Sequence, residues 1–119
     1  MPVQEFLPVD FTNLQRLGKL HRGKTVIVKF YRPDCIHCTN TIDEYNKLAA
    51  MVGDSDFLVA QLNGSEYPDL IQTNLNYGFT IKGFPTFVIF VDSLYHSTYE
   101  GPRTAEGWLS AMHAANAHD

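Results

Sequence analysis

The sequence predicts an α/β fold in which helices cover both faces of a largely parallel sheet that is closed by one antiparallel hairpin. Three observations carry this reading. Runs of β-branched and aromatic residues at 25–31, 57–62 and 86–91 alternate with segments whose apolar residues recur at helical spacing. Strands that alternate with helices pair in parallel and need both faces covered. With 119 residues, 45% of them hydrophobic, the chain can bury a core without disulfide or metal staples, so one domain over residues 1–119 is expected.

In chain order, a short strand is expected near 4–7. Asp10 is suited to cap a helix carrying Phe11, Leu14, Leu17 and Leu20 on one face, with Gly23 just beyond its end. Residues 25–31 then read as a buried strand, too short and too stiff at χ1 for a good helix. Arg32-Pro33-Asp34 ends it, and a helix follows from about Cys35, with Ile42, Tyr45, Leu48, Ala49 and Val52 on one face and Gly53 as its stop. After the strand at 57–62 comes a short helix from Pro68 to about Asn76, with Pro68 in its first turn and Gly78 at its exit. Asp92-Ser93 joins strands 86–91 and 94–99 in a hairpin. A last helix, about 104–115, places Ala105, Trp108, Leu109, Met112 and Ala115 together. The expected order is β-α-β-α-β-α-β-β-α.

Charge and composition exclude several functions. The net charge is −4 and no Lys or Arg residues form a stripe, so nucleic acid is not an expected partner. No stretch approaches the roughly 20 apolar residues that cross a membrane. Met1-Pro-Val-Gln-Glu5 lacks a basic segment followed by an apolar one, and Asn116-Ala-His-Asp119 is no retention signal, so a cytoplasmic monomer is expected.

Cys35-Ile36-His37-Cys38 carries the chemistry, because it sits where a buried strand gives way to a helix. Free N–H groups and the positive dipole end of a first helical turn stabilise a thiolate. Cys35 is placed in that turn and Cys38 one turn further along the same side, so the sulfurs can close a short disulfide loop. Two other readings stand beside this one: two core cysteines spaced by chance, or a zinc site completed by His21, His37, His96, His113 or His118. Structural zinc takes four protein ligands, usually as two close pairs, and no second Cys-x-x-Cys or His-x-x-x-His pair exists. The spacing therefore favours a redox pair that needs no metal or organic cofactor.

Three segments carry a wider resemblance. Val26-Ile-Val-Lys-Phe-Tyr-Arg-Pro-Asp-Cys-Ile-His-Cys38 resembles the strand-to-active-site segment of thioredoxins and protein disulfide isomerases. Lys82-Gly-Phe-Pro-Thr-Phe-Val-Ile-Phe90 is similar to the segment that holds their cis-proline, and Tyr99-Glu-Gly-Pro-Arg-Thr-Ala-Glu-Gly-Trp108 to the last strand and helix of disulfide-isomerase catalytic domains. The likeness runs in register from about Phe6 to Ala114.

The resemblance implies a thioredoxin-like, three-layer α/β/α fold with a mixed five-stranded sheet ordered 1-3-2-4-5. It also implies dithiol–disulfide exchange with protein substrates, in which Cys35 attacks and Cys38 resolves. Pro85 maps to the cis-proline that faces the active sulfur. Phe84 before it offers backbone groups to an extended substrate, and Asp34, Ile36 and Gly101 fall on the surface where substrates dock. His37 stands where disulfide isomerases keep a histidine. A hydrogen bond or positive charge from it favours the thiolate and makes the couple more oxidising. Arg103 matches an arginine that swings toward the site and lowers the resolving thiol's pKa.

The chain also departs from the family. Lys29 stands where relatives keep a buried acid that helps move a proton off the resolving thiol, and Gln61 where they commonly keep that acid's lysine partner. A buried ammonium has to lose its proton, find an acceptor or reach water. Asp34 replaces a tryptophan and Ile36 a glycine. These changes keep a second reading open, a binding module that uses the Pro85 groove with slow redox turnover.

Overall fold

The computed structural model describes residues 2–13, 16–53, 55–72 and 81–117. Its strands are β1 (Gln4–Glu5), β2 (Phe11–Asn13), β3 (Arg16–Leu17), β4 (Thr25–Tyr31), β5 (Phe57–Asn63), β6 (Thr86–Val91) and β7 (Leu94–Tyr99). Its helices are α1 (Ile36–Thr39), α2 (Ile42–Val52), α3 (Pro68–Gln72) and α4 (Ala105–Ala117). The strands form one sheet in the order β1-β5-β4-β6-β7-β3-β2.

β4 lies inside the sheet, between β5 and β6. Its side chains from Thr25 to Phe30 are all buried, because protein covers both faces. It runs parallel to β5, with pairs from Thr25–Phe57 to Tyr31–Asn63, and antiparallel to β6, with pairs from Thr25–Val91 to Phe30–Thr86. Val26, Val28 and Phe30 face a cluster with Phe6, Phe11, Leu17, Leu62 and Phe90, against which Leu70 and Ile71 of α3 pack. Ile27 faces the opposite cluster, built from Tyr45 and Leu48 of α2, Trp108 and Met112 of α4, and Phe87. Alternate side chains of one strand thus enter two separate cores, as the period of two requires.

Two sequence expectations are corrected here. The described residues between Phe11 and Leu20 do not form the expected α-helix: they run as β2, β3 and the start of a 3-10 turn. Phe11 lies opposite Leu17 in an antiparallel β2–β3 pair, and both side chains enter the core, while Leu20 is 86% exposed. Asp10 does not cap a helix. Its carboxylate accepts the Leu7 N–H at 2.9 Å and lies 3.2 Å from His21 Nε2, fixing two short 3-10 turns, Pro8–Asp10 and Lys19–His21. Leu14 lies outside the described residues. Because β2 and β3 join the β7 edge, the sheet has seven strands among the described residues and not five.

The helix after the cysteines is broken in two. Thr41 takes the Cys38 carbonyl twice, by its N–H at 3.1 Å and its hydroxyl at 2.7 Å, so the chain tightens and restarts as α2. Of the third expected helix, Pro68–Gln72 is present, and the rest of that expectation, with Gly78, lies outside the described residues. The β6–β7 turn has positive φ at Asp92 (51°) and Ser93 (70°), the two-residue geometry that suits strand twist. Neither residue is glycine. Asp92 accepts the Gly23 N–H at 2.8 Å and Ser93 donates to the Gly18 carbonyl at 3.2 Å, which ties the turn to the chain before β4.

Tyr45 fastens α2 to the sheet. Its hydroxyl lies 2.7 Å from the Ala60 carbonyl and 3.2 Å from that of Ile27, and its ring meets Trp108 edge-on at 5.1 Å. Tyr45→Phe keeps the ring and removes the donor. It should lower stability by about 1–2 kcal/mol, the cost of a lost buried hydrogen bond. Urea unfolding would read this as a lower midpoint at constant m-value, and an unmoved midpoint would show that these carbonyls need no side-chain donor.

Candidate active site

The site forms at the end of the sheet where β4 leaves and β6 enters. Phe30 pairs with Thr86, so the loop after Tyr31 and the turn before Thr86 lie side by side. The Phe84–Pro85 bond within that turn is cis. Gly64 donates its N–H to the Tyr31 carbonyl at 2.7 Å, and a Cβ on it would lie 2.6 Å from the Phe84 ring. That glycine therefore seats Phe84 against the β4 exit.

Cys35 is the N-cap of α1 and not a residue of its first turn. Its Sγ accepts the Cys38 N–H at 3.1 Å, so the sulfur does the capping that a serine or aspartate oxygen usually does. The same sulfur lies 3.5 Å from the Phe84 carbonyl, half-buried at the mouth of the cis-proline turn. Cys38 lies behind it and is 3% exposed. Both cysteines are free thiols. Burial pushes the Cys38 thiol up to about 11, aided by its hydrogen bond to Cys35, while the Arg32 backbone and the Lys29 charge pull it down.

Lys29 lies under this pair and, at 3% exposed, does not snorkel. Its Nζ donates to Thr41 Oγ1 at 3.4 Å and stands 4.8 Å from the centre of the Tyr45 ring and 5.7 Å from that of Tyr31. It also lines a cavity of about 300 Å³, whose wall includes Cys38, Tyr31, Arg32, Tyr45 and Gln61. Burial lowers the Lys29 ammonium's pKa, while negative charge at Cys38 and at Glu5 raises it. Gln61 is the register partner of Lys29 and donates to Glu5 Oε1 at 2.9 Å. Tyr31 donates to Glu5 Oε2 at 2.9 Å, and burial, followed by that bond, raises its phenol.

The remaining expected residues lie around this centre. Ile36 is 66% exposed beside Cys35, and His37 is exposed one residue on. Asp34 is exposed, with its carboxylate 3.6 Å from Arg32 Nε. Arg103 and Gly101 line a separate pocket of about 340 Å³ next to Pro85, on whose wall neither cysteine lies. Gly101 has a packing reason of its own, since a Cβ there would lie 2.6 Å from the Tyr99 hydroxyl. Among the described residues, no three His, Cys, Asp or Glu side chains gather around one point, and no helix is long and apolar enough to cross a membrane.

Sequence reasoning missed Thr41, Tyr31 and Glu5. A hydroxyl three residues after Cys38 was a local signal for Thr41, since it can reach back to the Cys38 carbonyl. Glu5 gave none, being brought in only by the pairing of β1 with β5.

Fold and site together describe a thioredoxin-fold domain with its Cys-x-x-Cys pair at the sheet end. The thioredoxin family profile matches residues 10–114, and the chain belongs to that family. It is 36% identical to the Saccharomyces cerevisiae protein disulfide-isomerase over 73% of this chain and 16% of that one. It is 34% identical to protein disulfide isomerase-like 1-3 of Arabidopsis thaliana over 94% of this chain and 20% of that one. It thus spans a fifth or less of these two relatives' length. Among solved structures, the Trx4 domain of ERdj5 superposes with a TM-score of 0.75 at 20% identity, covering 96% of this chain and 95% of that one. Spinach chloroplast thioredoxin f gives 0.70 at 22%, over 96% and 93%. Both show the fold.

The two thiols should differ sharply in reactivity. In brief iodoacetamide exposure of the reduced protein near pH 7, Cys35 should label and Cys38 should not, because Cys38 is buried and its thiol is pushed up to about 11. Peptide mass spectrometry reads this directly, and equal labelling would mean that Cys38 opens to solvent.

Proposed function

We propose that the chain is a thiol–disulfide oxidoreductase acting on protein substrates, with Cys35 attacking and Cys38 resolving. The arrangement of the sulfurs supports this best: Cys35 sits half-buried at the cis-proline turn, and Cys38 is buried behind it. The Cys35 thiolate attacks one sulfur of a substrate disulfide. The substrate S–S bond breaks, the other substrate sulfur leaves as a thiolate that takes up a proton, and a mixed disulfide forms. Cys38 then gives up its proton and attacks Cys35 Sγ, expelling the second substrate thiolate as the Cys35–Cys38 bond closes. Run backwards, the same steps oxidise a substrate dithiol.

In this reading Phe84 and Pro85 hold the substrate backbone beside Cys35. Ile36 offers an apolar contact on the rim, Asp34 a charge, and Gly101 and Arg103 a polar pocket further along the groove. The relatives named protein disulfide-isomerase fit this chemistry. The test is dithiothreitol-dependent reduction of insulin. Cys38→Ser should trap mixed disulfides and Cys35→Ser should not. A lack of turnover with no trapped species would instead favour the binding-module reading.

Lys29 replaces general-base help with a field. Its ammonium beside Cys38 favours the thiolate that release requires. Lys29→Met should raise the Cys38 thiol further and slow release of trapped substrate several-fold, with little effect on the first attack. The release rate should rise with pH as the medium approaches the thiol's value near 11, because only the thiolate attacks. Single-turnover kinetics separates the two steps, and an unchanged release rate in Lys29→Met would remove Lys29 from the mechanism.

A further inference from the structure

A buried ammonium needs counter-charge as well as hydrogen-bond acceptors. The contacts of Lys29 are a hydroxyl and two aromatic rings, none of which is an anion. Cys38 becomes one only after it has lost the proton whose loss Lys29 is meant to favour. Before that, the standing charge has to come from elsewhere.

The sheet register supplies it. Glu5 pairs with Gln61 across β1–β5, and Gln61 pairs with Lys29 across β5–β4. Side chains at paired positions share a face, so Glu5, Gln61 and Lys29 form a row over three adjacent strands. The Glu5 carboxylate is held at both oxygens, by Tyr31 Oη and Gln61 Nε2, each at 2.9 Å. Both donors are wall residues of the cavity that Lys29 lines. Among the described residues, the other elements around Lys29 present no further anion: α1 contributes Cys38, the break before α2 the neutral Thr41, α2 the neutral Tyr45, β6 Phe87, and β4 itself the neutral phenol of Tyr31. Arg32, on the same cavity wall, is a cation with Asp34 3.6 Å away.

We propose that Glu5 is a positioning residue for the release step: held two strands from Lys29 on the same face, it is the permanent counter-charge that keeps Lys29 an ammonium while Cys38 is still a thiol. Tyr31 and Gln61 act through it by fixing the carboxylate. The inference rests on the role proposed above for Lys29.

Glu5→Gln removes the charge and keeps the size. In wild type it should slow release by about two- to fivefold near pH 7, because Lys29 is then more often neutral. In the Lys29→Met background it should leave release unchanged or slightly faster, because removing an anion there only helps the Cys38 thiolate. Equal slowing in both backgrounds would reduce Glu5 to an edge-packing residue and overturn the proposal. A second readout does not depend on turnover. NMR titration of labelled lysine side chains should show the Lys29 midpoint falling in Glu5→Gln, and an unmoved midpoint would overturn the proposal. If Lys29→Met alone leaves release untouched, the role of Lys29 fails, and the titration still decides whether Glu5 sets its charge.

Discussion

The pairing of β4 between β5 and β6 is the constraint on which the rest of the structure depends. Because β5 runs parallel to β4, Lys29, Gln61 and Glu5 line up across one end of the sheet. Because β6 runs antiparallel, its first residue meets the end of β4, and the Phe84–Pro85 turn arrives beside the cysteine loop. A slip of one residue in either pairing would turn Lys29 out of its core and separate Cys35 from the Phe84 carbonyl. Hydrophobic burial enforces the register, since Val26, Val28 and Phe30 fit one core and Ile27 the other.

Local features were legible in the sequence. The strand at Thr25–Tyr31, the β6–β7 hairpin and the Cys35–Cys38 pair each announce themselves within a few residues, so periodicity and spacing were enough to place them. The first segment was misread for a definable reason. Phe11, Leu14, Leu17 and Leu20 recur every three residues, close enough to the turn of a helix to read as one face, while Phe11 and Leu17 equally suit facing partners across a short antiparallel pair. Leu20 and Gly18 decide between the two, one exposed and the other donating its N–H to the Asp10 carbonyl at 2.8 Å, but only tertiary contacts reveal it. The break between α1 and α2 was hidden similarly, because a threonine within a helical pattern gives little warning that its hydroxyl will take a backbone carbonyl.

The charged interior was half legible. Lys29 and Gln61 stand out from the sequence as an exchange for a usual acid and its partner. Where the balancing charge comes from does not, because Glu5 lies on a two-residue strand far away in the chain. Long-range electrostatics depends on strand pairing, and strand pairing is what a single sequence shows least. The exchange also moves the negative pole from the buried strand to a partly solvated edge. Hydration there lessens the desolvation cost, and the cation keeps the buried position next to the sulfur.

The capping of α1 by the sulfur of Cys35 has a further consequence. The hydrogen bond from the Cys38 N–H to Cys35 Sγ joins a backbone group of one cysteine to the side chain of the other. Any change in the bonding of Cys35 therefore alters how the first turn of α1 is satisfied. A sulfur engaged in a mixed disulfide is a poorer acceptor than a thiolate, which leaves that N–H in search of a partner. The short helix, separated from α2 by the Thr41 break, can respond without disturbing the Tyr45 anchor. The bonding of one sulfur thus bears directly on how a single helical turn is satisfied.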